Sequence, residues 1–196
     1  MTGENLEYID QLYPAIRKIQ DEGIRQKVIL AWYHAWKNGN FERIEDAHQF
    51  EPARNRISYN NVEHTNQICL VCEKMGEILE KILHIRINMD YLLAGALLHD
   101  VDKLVLFDAK SGGLREPGRK LRHAETSASM ALEEGLPEEV AHIIRAHSEV
   151  YSSTPPKSIE ALILRYVDLL VAKGVYLSSG LEMEKVLNEA LSIIAQ

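Results

Sequence analysis

The densest chemistry in this sequence lies at His99-Asp100. These two metal-capable side chains close the apolar run Tyr91–Leu98 (YLLAGALL) and lead into Val101-Asp102-Lys103. A helix of that composition is buried, and an ionised carboxylate in a buried place is costly unless it is paired or bound to a metal. His64, His123, His147 and Asp168 flank the pair at intervals of a few tens of residues. The order H…HD…H…H…D supplies a full ligand set for two metal ions. Mixed imidazole and carboxylate donors suit iron, manganese or zinc better than magnesium or calcium. A carboxylate can bridge two metals, whereas imidazole normally does not.

The elements that must position these residues read as helices almost throughout. Residues 4–20 and 22–38 form two amphipathic stretches with Gly39 as a stop, and Trp32 and Trp36 share a face. Residues 41–58 are less regular. A long helix is expected from Asn61 to His84, and Asn88 is a good N-cap for the next helix, which carries the His-Asp pair. Residues 108–120, with three glycines and a proline, read as a loop. Helices follow over 121–134 and 138–148, parted by Gly135 and Pro137. Thr154 is the expected cap of a helix over 155–173, and a last helix covers 181–194. No period-2 strand, internal repeat or low-complexity tract stands out.

The helical faces place most candidates inward. His64 shares a face with Ile68, Val71, Met75 and Leu79; His147 follows the stripe Val140, Ile143, Ile144; Asp168 sits in LILRYVDLLVA, the most apolar helix. His123 lies near a helix start, where a loop could aim it inward. His142 falls off the apolar stripe of its helix and is expected in solvent. Four inward-capable histidines and two aspartates on separate helices fit a site built in a bundle core.

Composition fits one globular domain, divided here into an N-terminal helical extension (1–57) and a remainder (58–196). Hydrophobic residues at 46% and charged residues at 26% exclude wholesale disorder. The net charge of −7 argues against a general binder of nucleic acid or anionic membrane, both of which need a positive surface. The first residues, MTGENLEYID, lack a basic n-region and an apolar h-region. No apolar run is long enough to span a bilayer. Two cysteines give no disulfide framework, so a cytoplasmic location is expected. Cys69 and Cys72 form an isolated CxxC in the long helix and read as core packing.

His64 in NVEHTNQ, His99-Asp100 in LLHDVDKL, His123 in LRHAETSA, His147 in IIRAHSEV and Asp168 in LRYVDLLVA together resemble the HD-domain superfamily of metal-dependent phosphohydrolases, over roughly residues 58–175. The resemblance implies an all-α, HD-domain-like bundle with the site between helices. It further implies one metal at His64, His99, Asp100 and Asp168, and a second at His123 and His147, with Asp100 bridging. The stretch AHSEVYSSTPP lacks the Gly-Tyr-Pro signature of the cyclic-di-nucleotide phosphodiesterase branch, and Asp102 stands where that branch has glycine. The same ligands also look like the mixed-valent di-iron oxygenases of the superfamily.

Lys103 follows His99 by four residues and Asp100 by three, one helical turn away. It is either a snorkelling surface lysine or a cation for substrate phosphate. Arg115, Arg119, Lys120 and Arg122 precede His123; each taken alone is a solvated loop residue, but together they could draw in an anion. Arg165 shares the face of Asp168 and could pair with a carboxylate.

The reading is a phosphohydrolase that turns over a nucleotide or other small phosphate ester with a metal-bound hydroxide. Asp100 and Lys103 are its catalytic residues, and Lys103, Arg119 and Arg122 bind substrate. The alternatives are a di-iron oxygenase and a metal-bearing phosphate or nucleotide sensor without turnover. No membrane or long nucleic-acid partner is expected, and a homo-oligomer is left open.

Overall fold

The computed structural model describes residues 3–116, 123–148 and 153–194, with side chains described to residue 189. Arg119, Lys120 and Arg122 lie outside the described residues. Among those described the chain is all-α, with only two isolated β-bridges, His48–Asn60 and Phe107–Leu114. The helices are α1 (Gly3–Leu12), α2 (Glu22–Asn38), α3 (Asn61–Leu83), α4 (Met89–Leu98), α5 (Lys103–Leu106), α6 (His123–Glu133), α7 (Glu138–Arg145), α8 (Ile159–Ser178) and α9 (Met183–Ile194). Short 3-10 turns occupy Pro14–Lys18, Ile44–Asp46 and Glu51–Ala53.

Local signals explain most of the boundaries. Asn60 accepts from the Glu63 amide while the Glu63 carboxylate accepts from the Asn60 amide, a reciprocal cap that starts α3. Asn88 accepts from the Tyr91 amide and starts α4, as expected. Several boundaries differ from expectation, two of them at proline. The stretch 4–20 is not one helix: Tyr13 leaves helical geometry (φ −124°, ψ 78°) and Pro14, which has no amide hydrogen, begins a separate 3-10 turn. The helix expected over 155–173 is α8, capped by Ser158 rather than Thr154. Pro156 disfavours helical geometry in the residue before it, so the chain stays extended until Ser158 accepts from Ala161. α7 also stops earlier than expected, leaving His147 two residues beyond its last turn.

α4 is apolar on every side because it is enclosed by neighbours, α2, α3, α7 and α8. One hydrophobic core runs from Ile9 to Val186, so residues before 57 share it with the rest. Tyr13 stacks on Trp32 with ring centroids 4.5 Å apart, and Trp32 Nε1 donates to the Leu97 carbonyl, tying the N-terminal helices to the end of α4. At Gly95 a Cβ would fall 2.5 Å from Ile143 Cγ2. The missing side chain lets α7 lie close on α4 and brings the ends of those two helices together.

Candidate metal centre

Each histidine of the predicted set is held on the inside by its own element. His64 lies in the first turns of α3, His99 caps α4, His123 opens α6 and His147 follows α7; all four are buried. Asp100 is buried in the turn after α4. Asp168, on α8, keeps 21% of its side chain exposed toward a cavity. His142 is the exception to expectation. It is half-buried, not solvated, because its Nε2 accepts from the Lys157 amide at 3.0 Å and so anchors the extended segment before α8.

The six predicted ligands meet at one place. His64 Nε2 lies 3.1 Å from His99 Nε2 and 3.1 Å from Asp168 Oδ1. Asp100 Oδ2 is 3.4 Å from both of those nitrogens, while its Oδ1 is 2.8 Å from His123 Nε2. The rings of His123 and His147 meet edge to face at 5.1 Å. Two triads with mutually close donor atoms result, His64–His99–Asp100 and Asp100–His123–His147, sharing Asp100.

The outer nitrogens fix what the inner ones present. His99 Nδ1 faces the Ala96 carbonyl at 2.8 Å and His147 Nδ1 faces the Ile144 carbonyl at 2.6 Å. A carbonyl only accepts, so both Nδ1 atoms carry hydrogen. His123 Nδ1 donates to Asp102 Oδ1 at 2.7 Å. The Tyr59 hydroxyl donates to Gln67, leaving its oxygen to accept from His64 Nδ1 at 3.1 Å. As neutral rings, all four histidines therefore point an Nε2 lone pair at two carboxylates. Such a convergence of acceptors is repulsive without a cation, and the donor set fits a divalent transition metal.

Without a metal, a proton on His123 supplies part of that positive charge. Burial pushes the Asp100 carboxyl up, but His99, Lys103 and His123 outweigh it and hold it well below the usual carboxylate range. Burial likewise opposes ionisation of Asp168, yet His64, His99 and His147 bring it down to about 2. At His123 burial disfavours the cation, and Asp102 and Asp100 overcome this to raise it to about 10. Burial, with His123 and His99 nearby, takes His147 down to about 3.

Lys103 is not a snorkelling surface residue. It is buried, and its ammonium pairs with Asp100 Oδ2 and donates to the Gln49 carbonyl. Arg115 is turned away, donating to the Asn38 carbonyl at the end of α2. Arg165 donates to the carbonyls of Ala146 and Thr154, bracing the chain on either side of the segment after His147. Outside the ligands a cavity of about 370 Å³ opens, walled by Phe50, Phe107, Tyr166, Leu169, Met183 and Leu187, with Asp100, Lys103, His123 and Asp168 also on its lining.

The HD domain family matches residues 61–173, more than half of the chain. The chain belongs to the HD domain family. A relative, the dihydroneopterin 2',3'-cyclic phosphate phosphodiesterase of Methanocaldococcus jannaschii, is 30% identical over 167 residues, covering 82% of this chain and 67% of its own length. No solved structure matches. This HD domain protein thus has support, from family and relative together, as a metal-dependent phosphohydrolase. No helix among the described residues is long and apolar enough to cross a membrane.

Residue types alone did not reveal the groups that aim these histidines. Tyr59 and Gln67 give no pattern, and the Ala96 and Ile144 carbonyls carry no side-chain signal. Asp102 was the one that could have been found, as a second acid two residues from Asp100 in a buried turn.

Proposed function

We propose that this HD domain protein hydrolyses a small phosphate ester at a two-metal centre, and that a cyclic phosphodiester carried on a ring-bearing group is its preferred class. The carrying observation is the convergence of four imidazoles and two carboxylates beside a largely apolar cavity, whose lining includes Asp100, His123, His147, Asp168 and Lys103. His64, His99, Asp100 and Asp168 hold one ion; Asp100, His123 and His147 hold the other. Asp100 suits the bridging position because its two oxygens face the two triads separately. Iron, manganese and zinc are the candidate ions.

Bound divalent ions lower the pKa of a coordinated water and polarise a phosphoryl oxygen. The rest is done by the chain. Each imidazole is held by its Nδ1 bond and keeps one orientation. The Lys103 Nζ–H donates to a non-bridging phosphate oxygen, matching charge that grows as phosphorus gains a fifth oxygen. Phe50, Phe107 and Leu187 take a flat apolar ring and keep bulk water from it. Arg119 and Arg122 are proposed to draw in the anion. The two free, buried cysteines suit a cytoplasmic enzyme.

For a cyclic diester, water adds to phosphorus, one P–O bond to the ring breaks, and that oxygen leaves protonated as a hydroxyl. The product is a monoester and no inorganic phosphate appears. The test is a panel of nucleoside 2',3'-cyclic phosphates, pterin cyclic phosphates and their monoesters, with manganese, iron or zinc restored, followed by phosphorus NMR. Conversion of cyclic diester to monoester is expected. Phosphate release from monoesters alone would make the protein a phosphomonoesterase. Binding without conversion under every metal would make it a sensor.

A further inference from the structure

We propose that Asp102 is a positioning residue that fits His123 to hold a metal ion, and that its carboxylate sets the affinity of the His123–His147 half of the centre. The inference rests on the two-metal reading above. Three of the four histidines are oriented by neutral oxygens: a phenol at His64 and backbone carbonyls at His99 and His147. At His123 the partner is an acid, with Asp102 Oδ1 2.7 Å from Nδ1. The two halves of the centre are therefore built differently.

Asp102 has no solvent to stabilise it. It is fully buried in the turn between α4 and α5, and its Oδ2 has no hydrogen-bond partner. An amide or an apolar residue would fill that turn without burying a charge, so a carboxylate here is costly to the fold. The return is at His123. A carboxylate on Nδ1–H fixes the ring's tautomer, leaves the lone pair on Nε2, and makes that nitrogen a stronger donor than a carbonyl partner would. The geometry is set from both sides. The Asp102 amide donates to Ser127 Oγ at 3.3 Å, four residues along α6 from His123, so the acid and the ring are fixed to the same helix. The opposite face of the ring, Nε2, sits 2.8 Å from Asp100 Oδ1, where the second ion is assigned.

The test is Asp102→Asn, which keeps the shape and an accepting oxygen but removes the charge. Chelator-stripped wild type and variant are titrated with manganese against a competing chelator, with stoichiometry from elemental analysis. Wild type is expected to bind two ions. In the variant the first ion should bind as before and the second should weaken by about 10–100-fold, the usual effect of losing such a partner. A loss of fold would weaken both ions together, so the split is what identifies the role. Two ions bound by the variant with wild-type affinity would overturn the role of Asp102 and leave the two-metal reading standing. One ion or none in wild type would overturn both. Should Asp102→Asn fail to fold, nitrogen-15 histidine spectra of zinc-loaded wild type decide the matter. Hydrogen on Nδ1 of His123, in a strong bond that moves its proton resonance furthest downfield of the four rings, is expected. Hydrogen on Nε2, or metal on Nδ1, would overturn the proposal.

Discussion

Replacing Lys103 by methionine keeps most of the stem and removes the ammonium. Its side chain is 7% exposed and that of Asp100 is 4% exposed, so water screens the pair little. Breaking a buried pair from one side typically costs about 3–5 kcal/mol, because the remaining charge is stranded. Asp100 is not wholly stranded here, since His123 Nε2 lies 2.8 Å from its other oxygen, which puts the effect at the low end, about 3 kcal/mol. For a chain of this size about 2–4 °C of melting temperature corresponds to each kcal/mol, so the expected fall is about 6–12 °C in the presence of chelator. Saturating manganese should narrow that gap, because an ion on Asp100 supplies the missing positive charge and stabilises the native state by mass action. Turnover of the substrate should drop on the order of a hundredfold with metal content unchanged, as when a transition-state charge contact is lost. Thermal melts with chelator and with manganese, beside steady-state kinetics, measure all three. Equal melting temperatures in chelator would show that Lys103 does not compensate Asp100. Unchanged kinetics would remove it from the phosphate.

Elemental analysis of protein purified without chelator should find a transition metal in near-stoichiometric amount; none, and no uptake of manganese, iron or zinc, would end the metal assignment. Asp100→Ala should lose both ions, whereas His123→Ala or His147→Ala should lose one and retain the ion at His64, His99 and Asp168; two histidine variants that bind wild-type amounts would refute the division. In chelator, stability should fall as pH rises from about 7 to 10. His123 is raised to about 10 in the fold, so its contribution is complete below its unfolded value of about 6.5 and lost as pH climbs through 10. His123→Gln should flatten that decline in a melting series across pH.

Much of the fold could be read from residue pattern because α4 announces itself. An unbroken apolar run flanked by Asn88 and His-Asp has few places to go except the centre of a helical bundle, and there it lies. Two of the boundary errors fall where proline overrides periodicity, at Pro14 and at Pro155-Pro156. At the centre, the ligand types were legible because an acid or imidazole on an apolar stripe has few cheap explanations. The cavity was not. Gln49, whose carbonyl holds Lys103, and Phe50, on the wall, come from the irregular segment 41–58, where no periodicity fixes a face. Met183 and Leu187 come from α9, whose pattern foretold a helix but not what it would cover.

The same hydrogen bonds that finish two helices also prepare the site. An α-helix leaves its last carbonyls without intrahelical partners and carries partial negative charge at that end. α4 and α7 both end at the centre, and His99 at the end of α4 and His147 just past α7 each turn an Nδ1–H back onto the carbonyl three residues earlier, Ala96 for His99 and Ile144 for His147. That bond satisfies the helix end and in the same act directs the Nε2 lone pair inward. Close packing at Gly95 against Ile143 sets the two ends side by side, with His99 and His147 rings 5.2 Å apart. Two helix C-termini, four lone pairs and two carboxylates then share one small volume. Each of those features favours a cation there, and in the stripped protein Lys103 and the protonated His123 answer only the Asp100 side of it. An anionic substrate could not approach such a volume unless metal charge outweighed the acids. Metal binding is accordingly a condition for substrate binding as well as for turnover. Stripped protein should therefore show no affinity for a cyclic phosphate in calorimetry, and restored manganese should create it. Equal affinity with and without metal would mean that the ligand sits elsewhere.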